Sequence, residues 1–377
     1  MMLIRNLSTR FGPLKVPLSL FFANKALLLA ISLIVPLFLA PGAGYEPNTP
    51  NDVLNRWAQW DGKAYLTIAD QGYVTLPDGR SLHNFLPFYP FLIRVLSFIG
   101  SALAGFLISN IASLIAIVFL YKLVQLDYPR AVSNRTAVFL LFFPTTFFLT
   151  AIYTESLFLM FVVLTFYFAR KGQWLLAGAF SIALPLTRII GFGFFIPLLV
   201  EYYHQRSFSL RRTDRRVAYA LFPLIGVAIY LLISATFFGS PFAYGEQENL
   251  WSRSLQLPHM AFVKTISDFT NATSVVLLAY FMWSAAIALA AIALFVVQLR
   301  RIRWSYSAYT FIALVPPLLS GTLEAFSRFV LVIFPFFLTL ALLAENKRWR
   351  WVLAGVYAAF VPLLIFLTAR FVVGAVG

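Results

Sequence analysis

The sequence predicts an all-α protein that crosses the membrane many times. Of its 377 residues, 61% are hydrophobic and only 11% are charged, and the apolar residues fall in runs about as long as a bilayer is thick. A water-soluble domain carries about 25% charged residues, so the soluble globular classes are excluded. No internal repeat or soluble segment is visible, and residues 1–377 are predicted to form a single membrane domain.

The predicted spans follow from the length of each apolar run, because a helix needs about 20 apolar residues to cross the hydrocarbon core. A twelfth apolar piece, 85–99, is short, begins with FLPFYP and contains Arg94. We predict that this piece is a re-entrant or interfacial helix, buried by protein wherever its backbone is irregular. The eleven predicted spans are 18–40, 102–122, 137–152, 155–169, 173–187, 189–203, 217–238, 273–297, 305–320, 328–344 and 351–373.

The basic residues predict the orientation of the chain. Most of the 29 Lys and Arg residues fall on one side if the N-terminus is cytoplasmic and 85–99 does not cross, as the positive-inside rule requires. Two long loops, 41–84 and 239–272, then lie on the non-cytoplasmic side. The first contains DVLNRWAQWDGKAYLTIADQGY, whose apolar residues recur at helical spacing and predict an amphipathic helix in the headgroup plane. Lys25, inside the first span, is expected to extend its amine towards the membrane surface.

Several kinds of chemistry lack support in the sequence. The net charge of +15 comes from short basic clusters at helix ends, which do not form a continuous nucleic-acid-binding face. The chain has no Cys, and its three His residues are not at metal-ligand spacing, so a zinc site is not indicated. The absence of a P-loop, a Rossmann glycine motif and a GxSxG motif leaves nucleotide and serine-hydrolase chemistry unsupported. No cofactor is identified by the sequence, and a divalent metal ion is left open as an unsupported possibility.

Asp61 is the first candidate catalytic residue, because it lies in the first outer loop beside Trp60. A carboxylate between aromatic surfaces is partly desolvated, which raises its proton affinity and suits it to act as a general base. Trp60 and Tyr65 are candidates to stack on a sugar ring. The alternative is an interfacial Asp61 that pairs with Arg56 or Lys63.

Charged residues at the mouths of later spans form the second set of candidates. Glu155 begins a hydrophobic segment, where an unpaired charge costs a few kcal/mol, so it either serves function or belongs to a helix cap with Thr154. Arg188 and Arg328 interrupt apolar stretches, and a forked guanidinium matches a lipid-linked phosphate. The alternatives are an Arg188–Glu155 or Arg328–Glu324 salt bridge, or snorkelling. His83, which precedes FLPFYP, is a candidate hydrogen-bonding residue.

The quoted segments, taken together, resemble the PIG-V-like mannosyltransferases, that is the GPI mannosyltransferase II family and its prokaryotic relatives. The resemblance covers roughly residues 55–340, and its specificity lies in the order of the segments. Those segments are RWAQWDGKAYLTIADQGY, NFLPFYPFLIR, FFPTTFFLTAIYTESLFLMF, LPLTRIIGFGFFIPLLV, FGSPFAYGEQENLW and SRFVLVIFP.

The resemblance implies a GT-C-type membrane glycosyltransferase with its active site on the non-cytoplasmic face. It implies a polyprenyl-phosphate sugar, typically mannose, as donor, and Asp61 as the base, with Glu155 and Arg188 on the acidic and basic positions of the middle segments. The family commonly reads R-W-D where this chain reads R-W-A-Q-W-D, and Asp70 is the second candidate. The predicted reaction inverts the anomeric carbon. The acceptor, whether glycan, lipid or protein, is not identified by the sequence.

Two other classes remain open at the level of sequence. A transporter or flippase for a lipid-linked substrate would carry charged or broken helices through the midplane and an internal repeat, whereas here the polar residues gather on one face. A non-catalytic subunit of a membrane assembly would need no clustered carboxylates and arginines.

Overall fold

A computed structural model describes residues 14–40, 42, 52–75, 81–248, 254–272 and 275–375. Parts of both predicted outer loops, at 43–51, 76–80 and 249–253, lie outside the described residues. The described chain is helical, with one isolated antiparallel bridge between Thr75 and Ser81. The helices are α1 Lys15–Ile34, α2 Asp52–Asn55, α3 Asp61–Gln71, α4 Phe88–Val95, α5 Ser101–Val124, α6 Arg130–Leu141, α7 Glu155–Arg170, α8 Trp174–Ser181, α9 Ala183–Thr187, α10 Phe195–His204, α11 Val217–Ala220, α12 Pro223–Phe238, α13 Ala243–Glu248, α14 Pro258–Thr270, α15 Val275–Gln298, α16 Trp304–Leu319, α17 Phe326–Leu331, α18 Phe334–Leu343 and α19 Lys347–Val372.

Four helical segments are both long and apolar enough to cross a bilayer: Lys15–Leu37, Ser101–Val124, Val275–Gln298 and Lys347–Val372. Shorter apolar helices accompany them, among them α12 and α18. The predicted class, an all-α membrane protein, is confirmed. The count of eleven spans stays a prediction, because several of the predicted runs are divided into shorter helices.

Among the described helices, α5 and α7 make the most extensive contact with each other. Small residues recur on the buried side of α5 at helical spacing, and they allow the two backbones to approach closely. These residues are Ala104, Gly105, Ser109, Ala112, Ser113 and Ala116.

Helix α7 separates two charged clusters, one at each of its ends. It has 16 residues and is therefore about 24 Å long, with Glu155 at its first position and Arg170 at its last. At the far end Arg170 donates to Asp127 over 2.6 Å, and the buried Glu201 accepts from Arg303 over 2.9 Å. The Glu155 end is described below as the candidate site.

The predicted span 137–152 is one of those that are not continuous helices. Residues 137–152 were predicted to cross, but α6 ends at Leu141, and the chain continues through turns and a 3₁₀ segment, Thr146–Leu149. Pro144 explains the break, because proline has no N–H to donate and disfavours helical conformation at the preceding residue.

The prediction that Lys25 reaches the membrane surface is also wrong. Its side chain is buried and donates to the Leu149 carbonyl over 3.0 Å and to the Thr150 hydroxyl over 2.7 Å. The neighbouring Asn24 donates to the Leu141 carbonyl over 2.7 Å. Asn24 therefore binds a carbonyl at the end of α6, and Lys25 binds the end of the following 3₁₀ segment, which supports irregular backbone inside the protein.

The predicted amphipathic helix of the first loop is two helices, α2 and α3, separated by residues 56–60. Trp57, expected in the headgroup plane, is fully buried against Phe106 and Phe371. The apolar side of this segment thus packs on the protein. The short piece 85–99 contains the eight-residue α4, which at about 12 Å is too short to cross, in agreement with its predicted re-entrant or interfacial character.

The two predicted outer loops meet at the same end of the bundle. The His83 ring stacks on Phe238 with centroids 4.1 Å apart, and the Tyr73 ring lies edge-on to Phe238 at 4.5 Å. Further along, the Gln256 N–H donates to the Leu319 carbonyl over 2.8 Å, at the end of α16. Both loops therefore lie at the end of the bundle where α17, the helix that contains Arg328, begins.

We predict that Gly226→Ala lowers the unfolding temperature of the protein, because an added Cβ would overlap the Ile182 carbonyl and lie 2.6 Å from Pro185 Cγ. Such overpacking costs about 1–3 kcal/mol, against the roughly 1 kcal/mol that alanine gains in helix propensity. Gly355→Ala is the matched control, since a Cβ there meets nothing within 4 Å. Tryptophan fluorescence on heating in detergent would measure both; equal midpoints would contradict the prediction.

Candidate active site

Two carboxylates and two guanidinium groups meet at the first turn of α7. Arg328 donates from Nη1 to Asp61 Oδ2 over 2.5 Å and from Nε to Glu155 Oε1, so it bridges the two acids. Arg188 Nη1 donates to the same Glu155 oxygen over 2.7 Å. The sequence singled out these four residues separately, and the structure brings them together.

The cluster is buried and internally balanced in charge. The Glu155 side chain is fully buried, whereas that of Asp61 is 28% exposed. The two carboxylates and two guanidinium groups have a net formal charge of zero. Such pairing is what allows ionised side chains to remain buried. Glu155 Oε2 is buried and has no hydrogen-bond partner among the described residues.

Asp61 is the first residue of α3, and the backbone just before it is strained. Trp60 has φ +47°, outside the regions that side chains other than glycine ordinarily adopt. The strained turn is tied to the start of α7: the Tyr153 hydroxyl donates to the Gln59 carbonyl over 2.8 Å, and the Ile152 N–H donates to the Trp57 carbonyl over 2.8 Å. Strain of this kind persists where the surroundings over-determine it, which is common at functional sites.

Arg328 reaches the cluster from α17, one turn after a second left-handed residue. Ala325 has φ +58°, and its N–H donates to the Tyr280 hydroxyl of α15 over 3.0 Å. The Arg328 guanidinium lies over the Tyr153 ring, 4.6 Å from its centroid, and 5.3 Å from that of Phe148. These rings fix the plane of the fork that spans the two carboxylates.

Arg188 lies where the chain turns out of α9 into a 3₁₀ segment, Ile189–Gly193, and it has extended backbone geometry. Its Nη1 also donates to the Thr154 hydroxyl over 3.1 Å. Thr154 occupies the N-cap position of α7 and Glu155 lies in its first turn, as the cap interpretation expected, but the Thr154 side chain makes no capping hydrogen bond. The Arg188–Glu155 salt bridge, which the sequence left as an alternative, is present.

Tyr65 and Trp60 flank the charged cluster from the first loop. Tyr65 is buried among the rings of Phe85, Tyr89 and Tyr153. Burial first, and the nearby Asp61 charge second, raise the pKa of the Tyr65 hydroxyl well above its usual value, so it remains a neutral donor. The partly exposed Trp60 ring packs on Phe371, with centroids 5.4 Å apart.

Three other candidates lie apart from the cluster. His83 is engaged with Phe238, and partial burial lowers the pKa of its imidazole. Glu324 is exposed, and Arg328 pairs with Asp61 and Glu155 instead, so the predicted Arg328–Glu324 salt bridge is wrong. Asp70 is exposed near the other end of α3 and accepts a hydrogen bond from Ser101. Because it follows Asp61 by nine residues on the same helix, it lies about 13 Å from Asp61 along the helix axis.

Residues that the sequence did not single out complete the site. Phe371, near the end of α19, contacts the rings of Trp57, Trp60, Phe147, Phe148 and Tyr153. Among 41 phenylalanines nothing in the pattern marks this one. The sequence does not mark Tyr280 either, because its hydroxyl accepts from the Ala325 N–H only in the left-handed conformation of Ala325.

The donor set does not suit a metal ion. The described residues contain no group of three or more His, Asp or Glu side chains placed to hold one. Where two carboxylates could share a cation, the guanidinium of Arg328 already contacts both.

The fold and the site define a helical membrane protein with a buried carboxylate–guanidinium centre at one end of its bundle. The family model described as mannosyltransferase (PIG-V) matches residues 31–252, more than half of the chain, so this protein belongs to that family. The family expected from the sequence is confirmed, while its prokaryotic branch stays a prediction. Asp61, Glu155 and Arg188 lie within the matched range, and Arg328 lies beyond it.

Individual known proteins resemble the chain more loosely. It is 29% identical over 187 residues to GPI mannosyltransferase 2 of Yarrowia lipolytica, which covers 48% of this chain and 50% of the relative. The chain thus matches half the length of that curated relative. An oligosaccharyltransferase of Archaeoglobus fulgidus tethered to an acceptor peptide gives a TM-score of 0.44 at 14% identity, over 94% of this chain and 56% of that one. The archaeal enzyme solved with an inhibitory peptide and a dolichol-phosphate gives 0.38 at 15% identity, over 94% and 55%.

We predict that Glu155→Gln destabilises the protein more than Asp61→Asn does. Removing one partner from a buried ion pair costs about 3–5 kcal/mol, and Glu155 holds two guanidinium groups, whereas the loss at the partly exposed Asp61 is about 1 kcal/mol. Thermal unfolding in detergent would rank them. The exposed Glu345→Gln is the control and should change the midpoint little; a larger loss at Asp61 would contradict this account.

Proposed function

We propose that the protein is an inverting membrane glycosyltransferase. It transfers a sugar, mannose, from a polyprenyl-phosphate donor to an acceptor hydroxyl on the non-cytoplasmic face. The observation that carries the proposal is the bridge from Arg328 to Asp61 and Glu155, which places a candidate base beside a candidate phosphate-binding group. Membership of the mannosyltransferase (PIG-V) family supports the reaction class and the sugar.

Asp61 is the proposed general base. It removes the proton of the acceptor hydroxyl while the hydroxyl oxygen bonds to the anomeric carbon from the face opposite the phosphate. The bond between the anomeric carbon and the phosphate oxygen breaks, and its electron pair leaves with the polyprenyl phosphate. The leaving group departs already ionised and needs no acid, so one carboxylate at Asp61 is sufficient.

The arginines stabilise the charge that grows on the leaving phosphate. The donor is a phosphodiester with one negative charge, and the released monoester carries a second, so positive charge is needed most late in the reaction. Preorganised guanidinium groups in a water-poor site are worth several kcal/mol to such a transition state. The free Glu155 Oε2 is suited to accept a hydrogen bond from a hydroxyl of the bound sugar.

The positions of the cluster and of the long loops also support an active site at one end of the bundle. The Glu155 end of α7 carries the cluster, and the two long loops meet at that same end of the bundle. The Arg170 end carries the basic loops that the positive-inside rule assigns to the cytoplasm. The site accordingly faces away from the cytoplasm in the proposed orientation.

We predict that Asp61→Asn reduces mannosyl transfer by about 10²–10⁴-fold, since the amide cannot take up the proton. The assay incubates purified protein with radiolabelled polyprenyl-phosphate mannose and candidate acceptors and follows label leaving the lipid. Asp70→Asn is the matched control, because it changes the same residue type on the same helix away from the cluster, and it should retain transfer. Near-normal turnover in a folded Asp61→Asn protein would reassign the base. Substrate movement across vesicles without product would favour a flippase.

We predict that Arg328→Lys raises the donor concentration needed for half-maximal rate by about tenfold or more, because lysine keeps the charge but loses the fork. Donor titration measures this. Arg303→Lys is the control: Arg303 also forks onto a buried carboxylate, Glu201, over 3.2 and 2.9 Å, but at the opposite end of the bundle. Both variants should lose stability, and only the first should change donor dependence. Unchanged donor dependence in Arg328→Lys would contradict a phosphate role.

A further inference from the structure

A second charged surface lies at the opposite end of the bundle, in residues 206–216, which we call the arginine loop. The loop joins α10 to α11 and has the sequence RSFSLRRTDRR, with five arginines and one acid. It lies beyond the Glu201 end of α10 and far from the candidate active site.

The one acid of the loop is used inside it. Asp214 Oδ2 accepts from Arg206 Nη2 over 2.7 Å, and its Oδ1 accepts from the Arg216 N–H over 2.8 Å and from the Tyr202 hydroxyl over 3.1 Å. The Arg206 guanidinium in turn lies over the Tyr202 ring, 3.7 Å from the centroid, and donates to the Arg212 carbonyl over 3.1 Å. The Arg206 hydrogen bond holds the pKa of the Asp214 carboxyl below its usual value. Asp214 and Arg206 therefore neutralise each other and shape the loop.

The remaining four arginines point outward without partners. Arg211, Arg212, Arg215 and Arg216 are exposed, and their guanidinium groups make no hydrogen bond or ion pair with any residue that the structure describes. Two apolar side chains of the same loop are also exposed, Phe208 by 55% and Leu210 by 74%. The surface thus combines four unpaired positive charges with two apolar side chains at the end of a membrane-spanning bundle.

We propose that the arginine loop binds the headgroups of anionic phospholipids in the adjoining leaflet. The four guanidinium groups match phosphodiester headgroups in charge and in hydrogen-bonding geometry. Phe208 and Leu210 enter the boundary between headgroups and acyl chains, as apolar residues of interfacial segments do. Each arginine near an anionic surface is worth on the order of a fivefold gain in affinity at low salt. This surface is independent of the transfer reaction.

The test uses the absence of cysteine from the chain. Ser209→Cys places a single thiol in the loop for a fluorescent donor, and the full-length protein is reconstituted in phosphatidylcholine vesicles. Energy transfer is then measured to acyl-chain-labelled phosphatidylglycerol or phosphatidylcholine at equal mole fraction. We expect several-fold more transfer to phosphatidylglycerol, falling as salt is raised. Adding R211Q, R212Q, R215Q and R216Q to S209C should bring the ratio to about one at an unchanged unfolding temperature.

The matched control removes four scattered charges from the same end of the bundle, with R130Q, K171Q, R300Q and R348Q in the S209C protein. These side chains are exposed and lie outside the loop. The control should keep the preference for phosphatidylglycerol. Equal transfer to both lipids in the S209C protein would overturn the proposal. So would loss of the preference in the control, because the effect would then belong to the whole basic face and not to the loop.

Discussion

The bridge that Arg328 makes between Asp61 and Glu155 is the constraint on which the arrangement of this bundle depends. The three residues come from α17, α3 and α7, which are far apart in the sequence. Glu155 is fully buried, and a carboxylate at that depth stays ionised only if positive charge is held against it. The fold therefore has to bring α17, which carries Arg328, and the turn after α9, which carries Arg188, to the first turn of α7. The helices must also begin or end at that point.

Ending helices inside a membrane protein leaves backbone groups that water cannot satisfy. This chain places polar side chains opposite the breaks. Asn24 of α1 donates to the Leu141 carbonyl at the end of α6, and Lys25 donates to the Leu149 carbonyl at the end of the 3₁₀ segment. Asn110 of α5 donates to the Thr150 carbonyl over 3.2 Å. The Tyr280 hydroxyl likewise accepts from the N–H of the left-handed Ala325. Polar residues within the apolar helices thus support the irregular segments that carry the charged site.

The sequence predicted the helical membrane class and the members of the charged cluster because both follow from the cost of placing charge in hydrocarbon. Glu155, Arg188 and Arg328 stand out for that reason, and so does Asp61 among aromatic residues. Which of these residues pair with each other could not be predicted in the same way. Glu324 is only four residues from Arg328 in the chain, yet Arg328 pairs with Asp61 and Glu155. A hydropathy pattern does not encode which direction a side chain takes at a strained turn. The left-handed Trp60 and Ala325 set those directions, and Pro144 divides a run that looked continuous.

Under the proposed function, the neutrality of the cluster decides which contact a donor phosphate replaces. Two acids already balance two guanidinium groups, so an arriving phosphodiester must compete for a guanidinium. Glu155 is fully buried and is held by both arginines, whereas Asp61 is partly exposed and holds only Arg328. The exchange therefore falls on the Arg328–Asp61 contact. The guanidinium that turns to the phosphate is the one that Asp61 holds, so its departure leaves the Asp61 carboxylate without that partner. Donor binding thus frees the Asp61 carboxylate to accept a hydrogen bond from the acceptor hydroxyl, and the empty site keeps its base paired with Arg328.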